Sequence, residues 1–195
     1  MRGIEQIPIL YDAMMTVSEA TGFGAWRQAL VAGARGRVLD VGCGTGRNLP
    51  LYDRELDVVG VDVRVELLVT ARKRAPDRAL VLASAEALPF RDSSFDTVVS
   101  GLVFCSVPDP AAGLREIKRV LAATGTLRML EHVRSTVSTM AWWQDFIQPA
   151  WTFVSGGCYP NRDTEAAVRQ AGFRIGRRGY RSTRNVRLFS ATVND

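Results

Sequence analysis

The sequence predicts an α/β fold with a mostly parallel sheet that is covered by helices on both faces. Three observations support this prediction: short apolar runs recur along the chain, amphipathic helical patterns separate them, and a glycine-rich loop follows the first run. The chain has 195 residues and 47% hydrophobic side chains, which is sufficient for one compact domain with its own core. Its charged fraction of 23% and its aliphatic content exclude the disordered class.

Five short apolar runs are predicted to form the first five strands, because strands that are buried on both faces are almost continuously apolar. In chain order the runs are Val38–Val41, Val58–Val61, Ala79–Leu82, Thr97–Ser100 and Thr126–Leu130. Apolar residues at helical spacing, with charges on the opposite face, predict crossover helices between strands. These helices cover Val65–Arg74 and Ala111–Leu121.

Both ends of the chain depart from this alternation. Residues 9–34 are predicted to form two helices before the first strand, and residues 135–159 are rich in aromatic side chains, are broken by Pro149 and match no crossover pattern. The C-terminal part is predicted to contain one helix and two strands that could pair as a hairpin. These elements are Asp163–Gln170, Phe173–Ile175 and Val186–Val193.

The N-terminal sequence, the hydropathy and the cysteines indicate where in the cell the protein is expected. The N-terminus is interrupted by Glu5 and Pro8, so we expect no secretory signal, and no run of residues is long and apolar enough to cross a membrane. The three cysteines, Cys43, Cys105 and Cys158, are odd in number and have no C-x-x-C spacing, which predicts neither a disulfide framework nor a metal site. A cytoplasmic location is the expectation.

The net charge of +5 is concentrated near the C-terminus. Residues 162–187 contain eight arginines and two carboxylates, so this segment carries +6 and the rest of the chain carries −1. We expect a solvated sheet edge whose charges discourage strand pairing. Attraction of anionic acceptors or of a membrane surface is the alternative, whereas a nucleic-acid groove is not expected.

The glycine loop carries the first functional signal. Gly42, Gly44 and Gly46 alternate directly after an apolar strand, which lets the backbone turn sharply and approach a ligand closely. Asp62 ends the second strand, sixteen residues beyond Gly46. An acidic side chain at that strand end can accept both ribose hydroxyls of an adenosine-type ligand.

Five motifs, in this order and spacing, resemble those of class I S-adenosylmethionine-dependent methyltransferases. They are Val38–Gly46, Asp62, Ser84–Phe90, Ser94–Val99 and Leu114–Leu121. The resemblance covers residues 37–131 and implies a Rossmann-like seven-stranded sheet of order 3-2-1-4-5-7-6 with strand 7 antiparallel. It also implies methyl transfer from S-adenosylmethionine, with S-adenosylhomocysteine as the product and no metal.

The resemblance implies a set of cofactor-binding residues. Asp40 would help to hold the amino group of the cofactor and Asp62 the ribose, whereas Ser84 stands where the family commonly has Asp. A hydroxyl at Ser84, or the backbone of Ala85, would then contact the adenine. The full set is Asp40, Gly42, Cys43, Gly44, Gly46, Asp62, Val63, Ser84, Ala85, Glu86 and Gly101.

The acceptor is expected outside the carboxyl ends of strands 4 and 5. His132, the only histidine, follows strand 5 and could act as a general base near neutral pH, or it could orient a loop. Glu131 could bind or orient substrate, or pair with an arginine. Cys105 is expected to be a small buried hydrophobe, because direct transfer needs no covalent step.

A narrower resemblance covers the second half of the chain. It is carried by Leu102–Pro110, Glu131–Val133, Trp143–Gln144, Pro149–Trp151, Gly157–Cys158 and Arg162–Thr164. These residues look like the methyltransferase-like 7 family and its small bacterial relatives, which implies S-methylation of small alkyl thiols. The animal members carry an N-terminal membrane anchor, and this N-terminus shows no such apolar run.

The aromatic segment has two interpretations. Trp143 and Trp151, with Trp142, Phe146 and Phe153, could form a lid over an apolar acceptor pocket, or they could pack an extra helix onto the sheet. Phe104, after strand 4, is a separate candidate substrate residue. Tyr11, in the N-terminal helices, is another candidate lining residue. The alternatives for the reaction are O-, C- or N-methylation of a quinone, phospholipid or natural product, and a cofactor-binding module without catalysis.

We therefore expect a single domain in four parts. The N-terminal helices come first, then the cofactor-binding core, an acceptor-side lid, and the last helix with its strand hairpin. The parts are residues 1–35, 36–131, 132–160 and 161–195.

Overall fold

The structure is a computed structural model that describes residues 12–13, 15–16, 22–155 and 157–194. Eight strands form one sheet in these residues. They are β1 (Arg37–Val41), β2 (Asp57–Asp62), β3 (Ala79–Leu82), β4 (Phe95–Gly101), β5 (Leu121–His132), β6 (Phe173–Ile175), β7 (Arg181–Ser182) and β8 (Val186–Val193). Their order is β3-β2-β1-β4-β5-β8-β6, and β7 pairs with β8 outside this path.

This order confirms the predicted topology. The first five strands are parallel to their neighbours, β8 is antiparallel to β5, and β6 pairs antiparallel with β8 as the predicted hairpin. The two-residue β7 is the additional strand, so the long closing strand becomes the eighth.

In residues 22–194, as far as the structure describes them, five α-helices and one short 3-10 helix (Leu49–Leu51) accompany the sheet. The α-helices are α1 (Gly24–Val31), α2 (Val65–Arg74), α3 (Pro110–Val120), α4 (Ser138–Ser155) and α5 (Thr164–Gln170). Asp109 and Asp163 precede α3 and α5, and each accepts a hydrogen bond from the third residue after it, which satisfies one of the free amides of the first helical turn.

The side chains of strand β1 alternate between two cores. Leu39 and Val41 of β1 face the cluster that contains the apolar stripe of α3, whereas Val38 faces the cluster that contains Leu30 of α1. The central parallel strands β1, β2 and β4 are thus covered on both faces, which explains their continuous apolar runs. The carboxyl ends of β1, β2, β4 and β5 lie at one edge, the edge at which such sheets bind ligands.

The interpretation of Pro149 as a helix breaker was wrong. Pro149 lies inside α4, and the helix continues for six further residues. Proline fixes φ at a value that a helix tolerates, and the cost of its missing N–H is smaller on an exposed helix, where water can satisfy the unused carbonyl. In the part of the chain that the structure describes, no helix combines the length and the hydropathy needed to cross a membrane.

Candidate functional site

The glycine loop after β1 forms the floor of the site. Gly44 has φ +56 and Gly46 has φ +78, in the left-handed region that favours glycine. A Cβ on Gly46 would lie 2.9 Å from the Cα of Ala71, so this glycine allows α2 to approach the loop. A Cβ on Gly44 would have no protein atom closer than 4.0 Å, so the backbone there is open to a ligand.

Asp62, at the end of β2, is tied to this loop. Its carboxylate accepts hydrogen bonds from the amide of Gly44 at 3.0 Å and from the amide of Arg64 at 2.9 Å. The side chain is largely buried, and burial raises its pKa despite these bonds. Asp62 therefore fixes the loop and also faces the cavity described below.

Asp40 lies beneath the loop and not on the cavity wall. It is fully buried and accepts hydrogen bonds from Asn48 Nδ2 at 3.2 Å and from the Tyr52 hydroxyl at 3.0 Å. Burial raises its pKa to about 6. Asn48 in turn accepts a 2.7 Å hydrogen bond from the guanidinium of Arg27 on α1. A polar chain therefore runs from Asp40 through Asn48 to Arg27, and only the last two line the cavity.

The segment after β3 forms the opposite wall. The amide of Glu86 donates to Ser84 Oγ at 3.1 Å, and the Ser84 hydroxyl donates to Glu86 Oε2 at 3.3 Å. The other carboxylate oxygen of Glu86 accepts a 2.6 Å hydrogen bond from the amide of Asp109. Glu86 thereby links this wall to the N-terminus of α3.

Glu131 organises the loop after β4. Its Oε1 accepts hydrogen bonds from the Ser100 hydroxyl and from the amides of Val103 and Phe104, at 3.1, 3.2 and 3.2 Å. These bonds hold the turn that follows Leu102, a non-glycine residue at φ +61. Glu131 is fully buried, and burial raises its pKa to about 7.

These segments enclose a cavity of about 380 Å³ at the carboxyl edge of the sheet. This volume is within the usual range of small-molecule sites. Nine of the sequence-predicted cofactor residues line it, whereas Asp40 and Gly46 lie below its surface. The nine are Gly42, Cys43, Gly44, Asp62, Val63, Ser84, Ala85, Glu86 and Gly101.

The cavity also has lining residues that the sequence analysis missed. Arg27 comes from α1, Ser155 from the end of α4, and Arg47 and Asn48 from the turn after the glycine loop. The sequence alone does not show that Arg27 is buried, so no sequence signal marked it. Ser155 had no signal in the sequence, because its position depends on the path of the whole helix.

Among the candidate acceptor residues, His132 is not on the cavity wall. It is half-buried, and its side chain contacts Cys158. Hydrogen bonds from Cys105, then His132 and Trp151, lower the pKa of Cys158 although burial opposes this, whereas the bond to Cys158 and burial raise the pKa of Cys105. His132 and the two buried thiols thus form a cluster behind the wall.

Phe104, Trp143 and Trp151 are also not on the cavity wall. Phe104 is buried in the core, and Trp143 and Trp151 are 54% and 41% exposed, so the described structure does not form the expected aromatic pocket. The physical reason is helical periodicity, which turns Trp142, Phe146 and Phe153 outward, whereas Trp151 contacts the buried Cys158 behind the wall. Tyr11 lies outside the described residues.

Asp12 anchors the N-terminal segment to the glycine loop, which the sequence did not predict. Its carboxylate accepts hydrogen bonds from Arg74 and from the hydroxyl of Thr45, both at 2.7 Å, and pairs with Arg47 at 3.2 Å. Burial alone would raise the pKa of Asp12, but the bonds from Arg74 and Thr45 hold it below its usual value. Its partners are 33 to 62 residues away in sequence, so no local pattern indicates them.

Comparison with known proteins decides the family. Residues 39–129 match a family described as "Methyltransferase domain". Human thiol S-methyltransferase TMT1A is 30% identical over 173 residues, which cover 85% of this chain and 71% of that protein. The chain is a class I S-adenosylmethionine-dependent methyltransferase. Its cofactor is therefore S-adenosylmethionine.

Other relatives of this methyltransferase act on different acceptors by name. The ubiquinone/menaquinone biosynthesis C-methyltransferase UbiE of Stenotrophomonas maltophilia is 35% identical, over 74% of this chain and 60% of that protein. The phosphatidylethanolamine N-methyltransferase of Cereibacter sphaeroides is 38% identical, over 54% and 56%. The chain thus spans between about half and about seven-tenths of the length of these relatives.

A solved structure supports the fold. A methyltransferase from Thermotoga maritima, a possible histamine N-methyltransferase, superposes with a TM-score of 0.75 at 21% identity, over 97% of each chain. At this identity the likeness establishes the architecture and not the acceptor.

Proposed function

We propose that this methyltransferase transfers the methyl group of S-adenosylmethionine to the sulfur of a small apolar thiol. The observation that carries the proposal is the acceptor end of the cavity. Leu102, Val103, Val107 and Pro108 make it apolar, and Ser106 is the neighbouring hydroxyl. The similarity to human TMT1A over most of the chain points to the same acceptor class.

We propose that the cofactor occupies the floor and the β2 side of the cavity. The open backbone at Gly44 fits a closely approaching ligand, and Asp62 is the acceptor for ribose hydroxyls. Ser84, Ala85 and Glu86 would surround the adenine. Asn48, held by Asp40, would contact the methionine end, so that Asp40 acts through Asn48 and not directly.

A thiol is the acceptor that depends least on a general base in the cavity wall. Methyl transfer forms one carbon–sulfur bond while the bond to the sulfonium breaks, and the acceptor proton must leave to water or to a base. A thiol is far more acidic than an alcohol, and the cysteine thiol has a pKa of about 8.5, so a thiol supplies some thiolate at neutral pH by itself. Among the described residues, no histidine or lysine lines the apolar end, which favours an acceptor that ionises unaided.

His132 is proposed as a positioning residue. Its contact with Cys158 supports the segment after α4, and this segment returns beside the β4 loop because the amide of Tyr159 donates to the carbonyl of Cys105 at 2.8 Å. In this role His132 shapes the acceptor end without taking the proton.

Methylation of a quinol carbon or a phospholipid amine is the second candidate. It is favoured by the similarity to UbiE and to the phosphatidylethanolamine enzyme, and both acceptors would also suit an apolar wall.

The cytoplasm is proposed as the compartment, because the three cysteines are buried free thiols that a reducing environment preserves.

An acceptor screen tests the proposal. S-adenosylhomocysteine release is measured with alkyl thiols, phenols, quinols, amines and phosphatidylethanolamine at matched concentrations. We expect turnover with alkyl thiols that increases with pH as the free thiol ionises. Turnover with a quinol or with phosphatidylethanolamine, and none with thiols, would replace the proposal with the second candidate.

A further inference from the structure

Helix α4 is amphipathic, but its polar face packs against the protein and its apolar face is exposed. The positions that face the protein are small or polar and follow one helical stripe, formed by Ala141, Gln144, Gln148, Thr152 and Ser155. Gln144 donates to the carbonyls of Val133 and Pro160 and accepts from the amide of Ser135, at 3.1, 2.9 and 2.7 Å. The helix is therefore held to the protein largely by polar contacts, which leaves its apolar face turned outward.

The outward face of α4 is aromatic. Trp142, Phe146 and Phe153 are 60%, 66% and 68% exposed. Trp142 stacks on Phe146 with ring centroids 5.6 Å apart, and Trp143 meets both rings edge-on. Exposed apolar surface of this extent marks an interaction site in a stable protein.

The same face carries almost no charge. Asp145 is the one ionisable residue of α4, and Arg134 pairs with it at 2.7 Å. Tryptophan and phenylalanine beside a neutral helix surface are the side chains that lie at the boundary between lipid headgroups and acyl chains.

A basic loop flanks the start of this helix. Residues 176–185 contain four arginines and no carboxylate, and every residue of this loop is exposed. The carbonyl of Asn185 accepts a 2.9 Å hydrogen bond from the amide of Val133, five residues before α4 begins. The end of the basic loop therefore lies beside the segment that leads into α4.

We propose that the aromatic face of α4 and the basic loop together dock this methyltransferase on an anionic lipid bilayer. The rings enter the headgroup region while the arginines contact lipid phosphates. A second copy of the chain fits less well, because a symmetric dimer through this face would bring two basic loops together. The proposal does not depend on which acceptor is methylated.

Vesicle flotation tests the docking. Wild-type protein is mixed with vesicles of phosphatidylcholine alone, or with vesicles of equal parts phosphatidylcholine and phosphatidylglycerol. We expect strong binding to the anionic vesicles that decreases with salt, and weak binding to the neutral ones. Brominated acyl chains should quench the tryptophan fluorescence of the bound protein.

Two variants separate the contributions. W142S/F146S removes exposed rings, and we expect at least about a tenfold loss of vesicle binding. R177S/R178S/R184S should lose about fivefold per arginine on anionic vesicles only. V69S/R91S is the matched control, because Val69 is exposed on α2 and Arg91 precedes the amino end of β4, and it should bind like wild type.

The proposal is overturned by absence of binding to the anionic vesicles, or by wild-type binding of W142S/F146S. It is also overturned if sedimentation velocity shows a dimer that W142S/F146S dissociates, because the face would then be a protein interface. Circular dichroism confirms that each variant is folded.

Discussion

Three buried carboxylates at the carboxyl edge of the sheet hold the loops of the site. Asp62 holds the glycine loop, Asp40 holds Asn48, and Glu131 holds the loop after β4. Burial raises the pKa of each carboxylate, so ionising these side chains lowers the stability of the folded protein. Buried groups of this kind concentrate at functional sites, where they position ligand-binding backbone.

Asp62→Ala is expected to weaken binding of S-adenosylhomocysteine by about ten- to a hundredfold, because a charged hydrogen-bond acceptor contributes about 1.5 to 3 kcal/mol. Titration calorimetry measures the affinity. Asp57→Ala, at the exposed start of the same strand, is the control and should bind normally. Unchanged affinity of Asp62→Ala would show that Asp62 does not bind the ribose.

Glu131→Gln is expected to change the pH dependence of stability. The folded pKa of Glu131 is about 7 against an ordinary 4.5, so its contribution is fully present below pH 4.5 and is lost as the pH rises through 7. Glutamine removes this loss, which amounts to about 3 kcal/mol at most. Urea unfolding from pH 4.5 to 8 should show a smaller decline for the variant, and parallel curves would contradict the assignment.

His132→Ala is expected to lower turnover several-fold while the pH profile of kcat/KM keeps its shape, because we propose that His132 positions the acceptor end and does not take the proton. His132→Asn, which retains a hydrogen-bond donor, should recover part of the rate. Loss of a titration near neutral pH in both variants would instead identify His132 as the base.

At the scale of elements, the regular crossover units follow directly from the sequence. Strands β1, β2 and β3 and helix α2 agree closely with their predicted limits, because a strand buried on both faces and a one-sided helix each leave a clear periodicity. Strand β5 begins at Leu121 and not at Thr126, since the register with β4 shifts between Phe95 and Thr97. Such an irregularity leaves no periodic signal.

Helix α4 shows where periodicity misleads. Its aromatic residues resemble a core-facing stripe, but polar contacts of Gln144 with three backbone groups fix the opposite face against the protein. These contacts with Val133, Ser135 and Pro160 determine which face of α4 packs inward. All three partners lie outside the helix, so the helix sequence alone does not predict its orientation.

Gln144→Ala is expected to destabilise the protein by about 1 to 3 kcal/mol, because it leaves buried backbone groups without their partner. Hydrogen exchange of the amides of α4 should increase more than exchange in β1. Gln148→Ala is the control, because Gln148 donates only to Thr152 within the same helix. Equal effects of the two variants would remove Gln144 from its anchoring role.

At the scale of the whole molecule, distant segments of the chain meet at the ligand edge of the sheet. Arg27, Asn48, Ser84, Gly101 and Ser155 reach one cavity from five parts of the chain. The motif residues among them could be predicted, because a loop that binds a cofactor has a recognisable sequence. Arg27 and Ser155 could not, because the packing of α1 and α4 against the completed sheet brings them there.

Asp12→Ala tests the contact between the N-terminal segment and the core. Removal of the carboxylate leaves Arg74 and Thr45 without their 2.7 Å partner, and we expect about 1 to 3 kcal/mol less stability at neutral pH. Because the folded pKa of Asp12 is lowered, the difference from wild type should shrink as the pH falls through that pKa. Asp77→Ala, in an exposed turn, is the control, and a constant difference at all pH values would contradict the account.

Transfer of a labelled methyl group tests the central claim most directly. The protein is incubated with S-adenosylmethionine that carries a trideuterated methyl group, together with an alkyl thiol, a quinol and phosphatidylethanolamine in one mixture, and the products are analysed by mass spectrometry. The account predicts that the label appears in the thioether of the alkyl thiol. Label on the quinol carbon or on the phospholipid nitrogen, with the thiol unmodified, would contradict it.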